Sequence, residues 1–88
     1  MVNWTVVFTK QAQKDAKKLA AAGLREKAEF LIAVLSENPY QNPPPYEKLL
    51  GDLLGFYSRR INLQHRLVDS VIETEIIVKV VRMWTHYE

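Results

Sequence analysis

The residues in this chain best equipped for chemistry are a histidine, a tyrosine and a group of arginines, spaced along its C-terminal third. The sequence closes on His86-Tyr87-Glu88, soon after a run rich in isoleucine and valine. Upstream lie Gly55-Phe56-Tyr57-Ser58-Arg59-Arg60 and then His65-Arg66-Leu67-Val68. Arginine offers phosphate a planar fork of donors, histidine moves a proton near neutral pH, and tyrosine stacks on a base. Arginines on two successive β-like segments, with an imidazole and a phenol near the end, point to chemistry on a phosphodiester.

Each of these residues also has a plainer use. Arg59 and Arg60 are adjacent, so on a strand they face opposite ways. One can be a solvated surface residue while the other joins Arg66 in a phosphate clamp. An even-numbered link between the strands puts Arg60 and Arg66 on opposite faces, and an odd link or a bulge puts them on the same face. The sequence leaves that choice open, and singly each arginine suits a surface ion pair. His86 and Tyr87 suit a frayed terminus, although Met83 and Trp84 are large and apolar enough to anchor the tail. His65 falls in a hairpin turn and suits a structural hydrogen bond. Glu47 follows a proline-rich stretch, where a carboxylate serves either as a base or as a solvated acid. Tyr40, Tyr46 and Tyr57 read as packing residues.

The elements that must position these groups follow from periodicity. Residues 3–8 read as a short strand. Thr9 is a candidate N-cap for a helix from Lys10 to about Ala22, with Ala12, Ala16, Leu19 and Ala20 inward and Lys10, Lys14, Lys17 and Lys18 outward. Gly23 breaks it. A second helix runs from about Leu24 to Ser36, with Ala28, Leu31, Ile32 and Leu35 at helical spacing. Residues 38–46 contain Pro39, Pro43, Pro44 and Pro45 and form a stiff extended connector over the surface. Three strands follow, at 56–61, 66–72 and 76–84. The last is apolar on both faces, as suits the middle of a sheet. The class is α+β, in the order β-α-α-β-β-β: a twisted, mainly antiparallel sheet with a two-helix hairpin on one face.

Eighty-eight residues, 48% of them hydrophobic and 25% charged, suit one globular domain over 1–88. No apolar run approaches a membrane span, and no signal-peptide pattern is visible. Cysteine is absent, which excludes disulfides and thiolate metal sites. These features lead us to expect a cytoplasmic protein with no membrane partner. The net charge of +2 is too small to establish a nucleic-acid binder, so any such role needs local clustering. No metal-ligand spacing, phosphate-binding loop or dinucleotide fingerprint appears.

The run Glu47-Lys48-Leu49-Leu50-Gly51-Asp52-Leu53-Leu54-Gly55-Phe56-Tyr57-Ser58-Arg59-Arg60-Ile61, continued by His65-Arg66-Leu67-Val68 and the closing His86-Tyr87, resembles the YoeB/Txe-type toxins of the RelE/ParE toxin–antitoxin superfamily. The likeness extends over nearly the whole chain in element order. It implies a small endoribonuclease that cuts messenger RNA on the ribosome without metal or cofactor. By motif, Glu47 matches the general base, Arg66 the transition-state arginine, His86 the general acid and Tyr87 a tyrosine that shapes the site. Arg60, Arg59 and Lys48 fall to RNA and phosphate binding. The implied partner is a YefM/Axe-type antitoxin that lays an acidic segment over the basic site; a homodimer is compatible with the family. Departures from the pattern are Leu50 where the family commonly has lysine, Gln64 where an acidic residue is common, and the extra Glu88. Relatives of the ParE type act on DNA gyrase, and fold alone does not separate the two activities. A module that only binds its antitoxin is the third option.

Overall fold

The alternating and helical patterns become five strands and two α-helices in the computed structural model, which describes residues 3–84. The elements are β1 (Thr5–Phe8), α1 (Lys10–Ala21), α2 (Arg25–Glu37), β2 (Glu47–Lys48), β3 (Phe56–Arg60), β4 (Arg66–Ile72) and β5 (Ile77–Arg82), with a 3₁₀ turn at Gly51–Leu53. Thr9 is the N-cap of α1: its Oγ1 accepts the Ala12 N–H at 3.0 Å. The same hydroxyl donates to the Val81 carbonyl at 2.7 Å, which ties the start of the helix to β5. Gly23, at φ +77°, turns the chain from α1 into α2.

The sheet order is β1-β5-β4-β3-β2. β1 lies parallel to β5, and the other three pairings are antiparallel. The α+β class, the helical hairpin and the central position of β5 agree with the sequence reading. The structure adds β2, a two-residue strand that carries Glu47 and pairs with β3. The core gathers Ala12, Leu19, Ala28, Leu31, Leu35, Leu67, Val78 and Val80, joining the helices to one face of the sheet.

The inner face of α1 differs from expectation. The buried positions are Ala12, Asp15 and Leu19, while Ala16 and Ala20 are exposed. Asp15 turns inward because its carboxylate completes the end of β5. It accepts the N–H groups of Met83 at 2.9 Å and Trp84 at 3.2 Å, and Gln11 donates to it at 2.8 Å. Apolar spacing cannot reveal a buried acid held this way. The consequence is an anchored strand end, with Met83 buried and the Trp84 ring stacked on His65 at 3.8 Å between centroids.

Candidate active site

Strand alternation decides which side chains meet on the face away from the helices. Glu47 pairs with Ser58, Ser58 with Val68, and Arg60 directly with Arg66. Directly opposed residues share a face, so Glu47, Ser58, Arg60 and Arg66 lie together. The link between β3 and β4 spans residues 61–65, an odd number, and this brings the two arginines to one side.

These residues, with Pro45 and Tyr46, line a hollow of about 330 Å³. Arg66 Nη1 donates to Glu47 Oε1 at 2.6 Å and approaches Ser58 Oγ at 3.4 Å. Arg60 is exposed on the wall, and the Glu47 side chain is 67% exposed. The hollow therefore holds two guanidinium groups and one carboxylate, an excess of positive charge at a solvent-open site. That arrangement suits an anion with planar oxygens, and it sets a carboxylate beside the anion as a proton acceptor. Because the ion pair is open to water, its contribution to stability is small.

Two expected phosphate ligands lie elsewhere. Alternation turns Lys48 to the face opposite Glu47, paired with Tyr57. Arg59 faces inward and is only 1% exposed. Its Nη2 donates to the Pro39 carbonyl at 2.9 Å, its Nη1 donates to the Pro44 carbonyl, and its guanidinium lies 4.9 Å from the Tyr46 ring centre. This corrects the reading of Arg59 as an RNA ligand: its fork grips the connector. The connector is accordingly docked, with Pro39 buried. The tyrosines are packing residues, as expected: Trp4, Tyr40, Tyr57 and Tyr46 meet edge to face in sequence, at 6.5, 5.9 and 5.6 Å. Tyr40 also donates to Glu73, and its phenol is pushed above its ordinary range by burial and by that carboxylate.

Behind the hollow, Asp69 is fully buried on the helix-facing side of β4. Neither of its oxygens has a hydrogen-bond partner among the described residues. Burial pushes its carboxyl up to about 7, against the opposing pull of Arg59. Burial likewise lowers the Arg59 guanidinium from its ordinary value, and Asp69 and Tyr46 oppose that shift.

His65 closes the turn between β3 and β4: it is buried, its backbone N–H donates to Asn62 Oδ1 at 2.7 Å, and its ring stacks on Trp84. His86 and Tyr87, expected as acid and shaping residue, lie outside the described residues. Sequence reasoning missed Ser58 as part of the hollow, although its position two before Arg60 on the same strand was a readable signal. Asp15 and Asp69 gave no such signal, because burial of an isolated acid follows from tertiary packing.

A family model described as "YoeB-like toxin of bacterial type II toxin-antitoxin system" matches residues 8–87. A protein named Toxin YoeB from Synechocystis sp. is 30% identical over 86% of this chain and 80% of its own length. The solved YoeB/ParE toxin from Agrobacterium tumefaciens is 29% identical and superposes with a TM-score of 0.84, covering 94% of this chain and 99% of that one. YoeB from Staphylococcus aureus, solved in complex with YefM, is 31% identical with a TM-score of 0.80, covering 96% of this chain and 98% of that one. The S. aureus YoeB is also solved as a dimer.

Proposed function

The chain belongs to the YoeB-like toxin family of bacterial type II toxin–antitoxin systems, and on that premise we propose that it is an endoribonuclease acting on ribosome-bound messenger RNA. The observation that carries this reading is the contact of Glu47 with Arg66 at 2.6 Å, in a hollow whose wall also holds Arg60. Glu47 takes the proton of the ribose 2′-hydroxyl as that oxygen attacks the adjacent phosphorus. Arg66 and Arg60 stabilise the charge that accumulates on the phosphoryl oxygens, through charge-assisted hydrogen bonds that strengthen in the transition state. His86, as imidazolium, protonates the departing 5′-oxygen, and Tyr87 orients the scissile nucleotide. The products are a 2′,3′-cyclic phosphate and a 5′-hydroxyl.

His86 is assigned by its place in the closing His86-Tyr87 pair, which falls at the end of the span matched by the family model.

A positioned acid or base contributes about 10²–10⁴-fold, so Glu47→Ala or His86→Ala should each slow cleavage by that factor. The experiment is primer extension on message from a reconstituted translation reaction, with a gyrase supercoiling assay beside it. Loss of cuts in the His86→Ala variant, with supercoiling untouched by the parent protein, supports the ribonuclease. Inhibition of gyrase without cuts supports a ParE-like activity, and neither effect supports an antitoxin-binding module.

The S. aureus relative in complex with YefM supports a matching partner here. A YefM/Axe-type antitoxin would cover the hollow with an acidic segment that orders on binding, neutralising Arg60 and Arg66. The S. aureus dimer makes self-association the second assembly to examine. Among the described residues, no helix is long and apolar enough to cross a membrane.

A further inference from the structure

We propose that Arg59 is a positioning residue for Glu47, holding the proline connector from the interior so that the carboxylate meets Arg66 in the hollow. This inference rests on the ribonuclease reading only for its kinetic arm. The connector leaves α2 at Asn38 and reaches β2 at Glu47. Along that length Arg59 binds it at both ends, through the carbonyls of Pro39 and Pro44, and lies beside the Tyr46 ring. Glu47 is the next residue in the chain.

β2 itself is a weak locator. It has two residues, both exposed, and it lies at the edge of the sheet. Its extension is a single further bond, from the Leu49 N–H to the Phe56 carbonyl at 2.9 Å. A strand this short does not hold its own register, so the position of Glu47 depends on what fixes the segment before it. The Arg59 fork supplies two donors in fixed geometry to two carbonyls five residues apart, which a lysine ammonium cannot reproduce. Adjacent arginines thus take separate tasks, with Arg60 facing the hollow and Arg59 fixing the residue across from it.

The test is Arg59→Lys, alone and combined with Glu47→Gln, followed by amide hydrogen exchange and by cleavage kinetics. Displacement of about 1 Å at a reacting group costs up to about 10²-fold, so kcat should fall about 10- to 100-fold with KM within about threefold. In the Glu47→Gln background the same substitution should change kcat less than about twofold, because a residue acting through Glu47 has nothing left to position. Independently of any activity, the Leu49 amide should lose at least about tenfold of its protection while the Val71 and Val78 amides keep theirs. If Arg59→Lys fails to fold, the charge-neutral Arg59→Gln/Asp69→Asn pair serves in its place, with the same expectations.

Unchanged Leu49 protection overturns the proposal. So does multiplication of the two kinetic effects in the combined variant. Loss of protection throughout β4 and β5 in both designs would assign Arg59 to folding as a whole, and this too overturns it. If the parent protein cuts no RNA, the ribonuclease reading falls, and the Leu49 amide still decides the role of Arg59.

Discussion

Asn in place of Asp69 should stabilise this protein at alkaline pH and remove part of its pH dependence. Asp69 is fully buried without a hydrogen-bond partner among the described residues, and its carboxyl is pushed from 3.8 to about 7. The folded state therefore holds a proton that the unfolded chain releases at lower pH. Below about pH 4 both states are protonated and the group costs nothing. As pH rises through about 7 the buried carboxyl ionises and the full cost is reached. Three units at 1.36 kcal/mol each set an upper bound of about 4 kcal/mol. Part of this is lost to water penetration and relaxation around the charge, so about 2 kcal/mol is the working expectation. Arg59 is the charge acting on Asp69, and its attraction is already contained in the shift. The assay is urea unfolding of parent and Asp69→Asn from pH 4.5 to 8.5. The parent should lose stability relative to the variant as pH rises, with the gap opening between about pH 4 and 7 and levelling off above that. A variant less stable than the parent at pH 8, or a gap that ignores pH, would refute the reasoning.

Other substitutions probe the remaining devices. Asp15→Ala removes the acceptor of the Met83 and Trp84 N–H groups; it should cost about 2–3 kcal/mol in urea unfolding and raise amide exchange at Met83 and Trp84. Ile76 sits at φ +57°, where a β-branched residue is strained, and it is 38% exposed. Ile76→Gly should therefore raise stability by roughly 1 kcal/mol, measured as an increase in the urea midpoint at unchanged slope. Glu47→Ala removes an ion pair whose carboxylate is 67% exposed; thermal melting should shift by no more than a few degrees while cleavage falls about 10²–10⁴-fold.

What could be read directly from the chain was local. Thr9 as a helix cap, the break at Gly23 and the apolar phase of Ala28, Leu31 and Leu35 depend on neighbours within a few residues. The placement of β5 inside the sheet followed from its two apolar faces. The rest needed partners distant in sequence. A two-residue strand at Glu47 has no periodicity to detect, and the parallel pairing of β1 with β5 leaves no local trace. Asp15 turns inward because of amides 68 and 69 residues away. The arginine pair shows the limit most clearly. Alternation separates Arg59 from Arg60, but only the register across residues 61–65 determines that Arg60 meets Arg66 and Arg59 meets the connector. The resemblance pointed to Glu47 and Arg66 by motif, and the structure brings those two side chains together. It also pointed to His86 and Tyr87, which lie outside the described residues.

The central claim is that a carboxylate and two guanidinium groups turn a ribose hydroxyl against its own phosphate. The most direct measurement replaces that single 2′-hydroxyl with hydrogen at the scissile nucleotide of a ribosome-bound message and follows cutting by gel. Cleavage should vanish at the modified position, while the unmodified message yields a 2′,3′-cyclic phosphate end. Cutting of the deoxy-substituted message at the parent rate would contradict the account, whatever the side-chain variants show.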